Sequence, residues 1–283
     1  MASVPQLSAS PQLLIETARH LPAAPQVLAE INELLLDPHL QLDDVVDVLR
    51  RDAALAATVV RISNSALYGG ARIGSIEDAV ARVGLAEVYR VVGLATTARF
   101  TTLALPSYGV PAGALARNAL LHALAAESIA SLSGVDALVA YTAGLLRPLG
   151  MIVIDQLMRP TLALASPPFA AKDFVEVERQ AIGRGNGEVA ALVLNEWRFA
   201  PELVEGVRAH YLTGDLLAQP RLAVVLNLAG RIVTELGGAL APETAYWTAD
   251  EARLEVLGLT REDLAAAQER TYRQFDRQRF AIE

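Results

Sequence analysis

The sequence predicts an all-α protein, and three features carry that reading. Apolar residues make up 53% of the chain and aromatics only 5%, so the apolar mass is Ala, Leu and Val. Ala and Leu head the helix propensity scale, whereas strands favour β-branched and aromatic side chains. Apolar residues also recur at helical spacing along most of the chain, while no segment alternates over strand length. Residues 151–154 are too short to distinguish strand from helix.

The elements follow in order. Leu42, Val45, Val46 and Leu49 fall at i, i+3, i+4, i+7, with Asp43, Asp44 and Asp47 on the opposite face. Asp43 and Asp44 sit in the first turn, where the helix dipole favours negative charge. Asp52 restarts a helix whose buried stripe is Leu55, Thr58, Val59 and Ile62, ended by Asn64-Ser65 and Gly69-Gly70. Ser75-x-x-Asp78 reads as a capping box opening the next helix, with Gly84 as its stop. The Pro106 to Pro111 stretch reads as a hinge between two helical lobes. Helices are expected over about 112–132, 136–157 and 172–182. A glycine cluster at 183, 185 and 187 follows, then a helix to Trp197 and another opened by Pro201. Thr248-x-x-Glu251 and Thr260-x-x-Asp263 mark two late helices. Residues 1–12 read as a flexible tail and 13–283 as a single two-lobed helical domain, with lobes of about 13–108 and 109–283.

Charge and composition exclude several function classes. The net charge is −8 and the only lysine is Lys172, with arginines scattered, which weighs against nucleic acid and anionic membranes as partners. Without cysteine there is no disulfide frame, zinc–thiolate site or thiol nucleophile. Residues 1–10 lack the charged and apolar regions of a signal peptide. The longest apolar stretch, 136–154, is broken by Arg147-Pro148, so no membrane span and a cytoplasmic location are expected.

Catalytic motifs are equally sparse. Gly183-Arg184-Gly185-Asn186-Gly187 lacks phosphate-loop spacing and reads as a helix connection. The four histidines, His20, His39, His122 and His210, include no H-x-x-x-H pair and no His-Asp dipeptide. Metal centres need several converging ligands, so each histidine reads as structural or solvated. No G-x-S-x-G elbow is present. Asp43-Asp44 and Glu262-Asp263 sit at helix starts, where capping accounts for them. Tyr141, Trp197 and Trp247 read as packing residues, and the Arg-rich run 268–279 as a solvated terminal helix.

Several ordered motifs carry a resemblance. They are Leu21-Pro22-x-x-Pro25, Arg51-Asp52-x-x-Leu55, Asn64-Ser65-Ala66-x-Tyr68-Gly69 and Ile73-x-Ser75-Ile76-x-x-Ala79-Val80-x-x-Val83-Gly84. More loosely, Ala143-Gly144-Leu145-Leu146, Glu188-Val189-Ala190, Trp197-x-x-x-Pro201 and His210-Tyr211 continue the pattern. In these the chain resembles the HD-related output domain (HDOD) family, a degenerate relative of the HD metal-dependent phosphohydrolases, with a second lobe like an HD helical core.

The resemblance implies where metal ligands would once have stood. The first ligand histidine falls at about Asn118, the His-Asp pair at Arg147-Pro148, a further histidine at Asn186 and the last aspartate at about Gly230; His210 alone keeps a ligating side chain. Arginine has no lone pair to offer a metal and stays protonated. Proline offers no side-chain ligand. The resemblance therefore implies a non-catalytic bacterial signalling module with no cofactor, acting through unidentified signalling proteins, with self-association into a homo-oligomer left open. Asn64, Ser65 and Tyr68 are the candidate partner surface; helix capping is the competing role for the first two and inter-lobe packing for Tyr68. The alternative is a small-ligand or nucleotide sensor reading a phosphate or carboxylate through Arg147, His210 and Asn186. A metal-dependent phosphohydrolase is the third and least favoured class.

Overall fold

The computed structural model describes residues 7–21, 26–35, 39–64, 72–161, 167–170 and 173–278. Every regular element within them is helical, and the sole β feature is an isolated bridge between Leu105 and Val110. The chain divides into two units, Met1–Leu21 with Phe100–Glu283, and Pro22–Arg99.

In chain order the helices are α1 (Pro11–Arg19), α2 (Gln26–Leu35), α3 (Leu42–Arg50), α4 (Ala53–Ser63) and α5 (Ile76–Val83). Next, α6 (Leu85–Thr101) leads into α7 (Ala114–Ser133), α8 (Ala137–Leu146), α9 (Leu149–Met158), α10 (Phe174–Ile182) and α11 (Asn186–Glu196). The last are α12 (Pro201–Ala209), α13 (Arg221–Glu235), α14 (Glu251–Leu257) and α15 (Arg261–Gln278).

In the smaller unit, local signals set the helix starts. The Asp52 carboxylate accepts from Leu55 N at 3.0 Å to open α4, and Ser75 Oγ accepts from Asp78 N at 3.1 Å to open α5. Arg51 pairs with Glu30 instead of with its neighbour Asp52. Val45, Val46 and Leu49 are buried as their periodicity requires, whereas Leu42, at the first position of α3, is 46% exposed.

The larger unit departs from the sequence reading in three places. Leu7 and Ala9, assigned to a tail, donate their backbone N–H groups to Ala181 and Ile182 at the end of α10. Helix α1 then buries Leu14 and Ala18 against α9 and α11, so it belongs to the larger unit and not to an N-terminal lobe. The stretch read as a hinge is instead a buried turn. Ser107 N donates to Asp155 Oδ1 at 2.8 Å and Ser107 O accepts from Phe169 N at 2.9 Å. Finally, the single helix expected over 136–157 is two. Arg147 caps α8 and Pro148 starts α9, because proline lacks an N–H and its ring crowds the preceding turn. By length and composition Ala137–Met158 could cross a membrane, but 83% of its apolar window is buried within the protein.

Helix α7 is the core of this unit, packed by α8, α13 and α15. A second layer pairs α11 with α9 and α12. There α9 and α11 cross almost backbone to backbone: a Cβ at Gly150 would lie 1.8 Å from Asn186 O. That crossing fixes Asn186 beside the α8–α9 corner.

Candidate functional site

Five of the six positions carried over from the resemblance bear on one buried region of the larger unit. Asn118 comes from the middle of α7, Arg147 from the α8–α9 corner, Asn186 from the first residue of α11, His210 from the C-cap of α12 and Gly230 from α13. Asn118, Arg147, Asn186 and His210 are fully buried. Pro148 is also buried but acts through the chain, by ending α8.

Arg147 is the hub. Its guanidinium forms an ion pair with Glu243, with both side chains fully buried, and donates through Nη2 to Asn118 Oδ1 at 2.5 Å. Asn118 in turn donates to Gly238 O at 2.9 Å. Tyr211 OH donates to Glu243 Oε1 at 2.7 Å and lies 3.3 Å from Asn186 Oδ1. Asn186 gives its backbone N–H and side-chain amide to Glu178, at 2.7 Å and 2.9–3.1 Å. Tyr108 OH closes the chain on Glu178 Oε1 at 2.5 Å. One polar network therefore runs from α7 through the α8–α9 corner to α10.

Trp247 roofs this network. The Arg147 guanidinium lies 5.4 Å from the centre of its indole, a cation–π arrangement. The indole rests directly on α13 at Gly230, where a Cβ would come within 2.3 Å of Trp247 Cδ2. His122 and His210 flank it, with ring centres at 5.4 and 5.9 Å.

Burial sets the electrostatics. Desolvation first, and the nearby Arg147 charge second, hold His122 and His210 well below the ordinary imidazole range. Both are therefore neutral. Each gives one ring N–H to a backbone carbonyl, His122 Nε2 to Leu226 O at 3.0 Å and His210 Nδ1 to Val207 O at 2.5 Å. Burial likewise pushes the Glu178 carboxyl up to about 7 against the lowering effect of its hydrogen bonds.

A catalytic divalent metal does not fit these residues. Ligation needs convergent lone pairs, and among the described residues no three His, Asp or Glu side chains form such a group. The Asn118 oxygen is held by a permanent cation, and the indole lies against α13 at Gly230, where the resemblance expects an aspartate. The ligand-sensor alternative meets a related obstacle. Both Arg147 Nη atoms and the Asn186 amide serve internal partners.

Sequence reading overlooked several members of this region. Glu243 sits in a short 3-10 turn (Ala241–Tyr246), and Glu178 on an amphipathic helix where surface exposure is the default. Asn227, one turn before Gly230, ties His210 O and Tyr246 O to α13 at 3.0 Å each. The one available signal was His210-Tyr211 itself, whose tyrosine proved to be the bridge. The proposed partner surface fares differently. Asn64 gives its amide to Ile73 O at 2.8 Å, while Ser65 and Tyr68 lie outside the described residues.

Comparison with known proteins bears on the whole arrangement. The HDOD domain profile matches residues 21–213, about two thirds of the chain. The chain belongs to the HDOD family. An HDOD domain protein of unknown function from Geobacter sulfurreducens shares the fold at a TM-score of 0.62 and 20% identity, over 96% of this chain and 97% of its own. A Marinobacter aquaeolei VT8 protein, provisionally named for signal transduction, superposes at a TM-score of 0.74 and 25% identity over 95% of this HDOD chain and 60% of its own length. An uncharacterised protein of Treponema pallidum (strain Nichols) is 26% identical over 196 residues, 68% of this chain. The HDOD chain spans only 37% of that relative's length.

Proposed function

We propose that this HDOD chain is a non-catalytic regulatory module of bacterial signal transduction, working in the cytoplasm by binding partner proteins. The observation that carries the reading is the buried Arg147 guanidinium, paired with Glu243 and bonded to Asn118 among the positions where the family resemblance expects metal ligands. A resident cation repels a divalent ion, and breaking the buried pair to admit one would cost ~3–5 kcal/mol. Family membership and the likeness to the Marinobacter protein support the signalling role.

The test is turnover. Purified protein with Mn²⁺, Mg²⁺ or Fe²⁺ is offered nucleotides, cyclic dinucleotides and an aryl phosphate. No hydrolysis above the protein-free rate is expected. Metal-dependent activity that disappears in His210→Ala would overturn the proposal.

A further inference from the structure

Outside the buried network, the smaller unit has an open groove of about 670 Å³ between α4 and the start of α5. Helix α4 builds one wall from a single face. Ala57, Val60, Arg61 and Asn64 fall at i, i+3, i+4 and i+7, while Leu55 and Val59 on another face are buried in the unit. Arg72 and Ile76 line the opposite side.

Asn64 assembles the groove without facing an occupant. Its Nδ2 donates to Ile73 O at 2.8 Å and its Oδ1 accepts from Ile73 N at 2.9 Å. This two-bond clamp holds residue 73, and with it Arg72, alongside α4. The result is two exposed arginines, neither with an ion-pair partner among the described residues, above an apolar lining of Ala57, Val60 and Ile76. Among the described residues no acidic side chain lines the groove, although the chain as a whole carries a charge of −8. On this chain arginines are commonly paired, as Arg50 with Glu77 and Arg51 with Glu30 nearby show. Two guanidinium groups left free at the lips of an apolar groove complement a ligand with carboxylates flanking aliphatic side chains.

We propose that this groove docks an acidic, leucine-bearing peptide segment of a partner protein. The proposal rests on the protein-binding reading above and adds the chemistry of the partner. Carboxylates would be held by Arg61 and Arg72, and an aliphatic side chain would seat between Val60 and Ile76.

The test uses the full chain and three labelled probes, read by fluorescence anisotropy. One is a decapeptide of Glu and Leu in helical i, i+3/i+4 spacing. The second replaces each Glu by Gln, and the third is an oligothymidylate of equal charge. Saturable, salt-sensitive binding of the first alone is expected. It should weaken roughly ten-fold in Arg61→Gln/Arg72→Gln and recover in Arg61→Lys/Arg72→Lys. Both arginines are exposed and have no ion-pair partner among the described residues, so the variants should match the parent in circular dichroism. Equal binding of the Gln peptide, stronger binding of the oligonucleotide, or affinity unchanged by Arg61→Gln/Arg72→Gln would each overturn the proposal. So would a cross-linked cellular partner that binds parent and double variant alike, and that outcome would leave the non-catalytic reading intact. Metal-dependent turnover would defeat that reading whatever the peptides do.

Discussion

Replacing Glu243 by leucine strands a charge, and the structure sets the size of the effect. Arg147 and Glu243 are both fully buried, so the guanidinium cannot turn to water once its carboxylate is gone. Breaking one side of a buried ion pair costs ~3–5 kcal/mol. The Tyr211 hydroxyl also loses its 2.7 Å acceptor, adding ~1 kcal/mol or more. The Asn118 and Trp247 contacts remain in both states and offset little. A loss of about 5 kcal/mol is therefore expected. At ~2–4 °C per kcal/mol for a unit of this size, the midpoint should fall by roughly 10–20 °C. Arg147→Met/Glu243→Leu removes both charges and should be the more stable of the two variants by at least ~2 kcal/mol. Urea unfolding followed by tryptophan fluorescence is the assay. The chain's two tryptophans, Trp197 and Trp247, are both buried in the larger unit, so the signal is free of the smaller one. A Glu243→Leu loss below ~1 kcal/mol, or a double variant no better than the single, would refute the buried-pair argument.

Further predictions follow from the same geometry. Burial raises the Glu178 carboxyl from its ordinary 4.5 to about 7, so the folded state binds the proton more tightly than the unfolded one. Its contribution is then fully present below pH 4.5 and is lost as pH rises through 7, by an amount on the order of 3 kcal/mol. His122 and His210, whose values are depressed, act in the opposite sense and lose stability as pH falls below 6.5. The difference between parent and Glu178→Gln urea midpoints across pH 4.5–7 isolates the carboxyl, and a constant difference would contradict its assignment. Gly230→Ala should displace the Trp247 indole, shift its emission and destabilise the larger unit by ~1–3 kcal/mol, because the new Cβ meets the ring at 2.3 Å. Gly74→Ala, with no atom within 4 Å, is the neutral control. Asn64→Ala should weaken the smaller unit by ~1–3 kcal/mol and speed amide exchange at Ile73, whose N–H loses its acceptor.

The fold class was legible because helix signals are local. Ser75 with Asp78, and Thr260 with Asp263, cap the helices their spacing announced, the latter through reciprocal bonds of 2.9 and 3.1 Å. Thr248-x-x-Glu251 misled by two residues, since Asp250 is the cap of α14. The helix read over 136–157 runs through Pro148, although Arg147-Pro148 breaks the apolar stretch in the same sequence reading. Tertiary placement was less accessible. Nothing local in Pro11–Arg19 says that Leu14 and Ala18 will bury against helices far along the chain. The site was half visible. Asn118 and Arg147 were picked out by the resemblance, and the structure brings them into contact. Glu243 and Glu178, the partners of Arg147 and Asn186, were not, since each stands where an exposed carboxylate is the ordinary expectation.

Mn²⁺ electron paramagnetic resonance on the intact protein tests the replacement of metal by guanidinium most directly. If Arg147 fills the centre, the six-line signal of hydrated Mn²⁺ should persist undiminished as protein is added in excess. Stoichiometric loss of that signal, reversed by His210→Ala, would mean that the region still holds a metal.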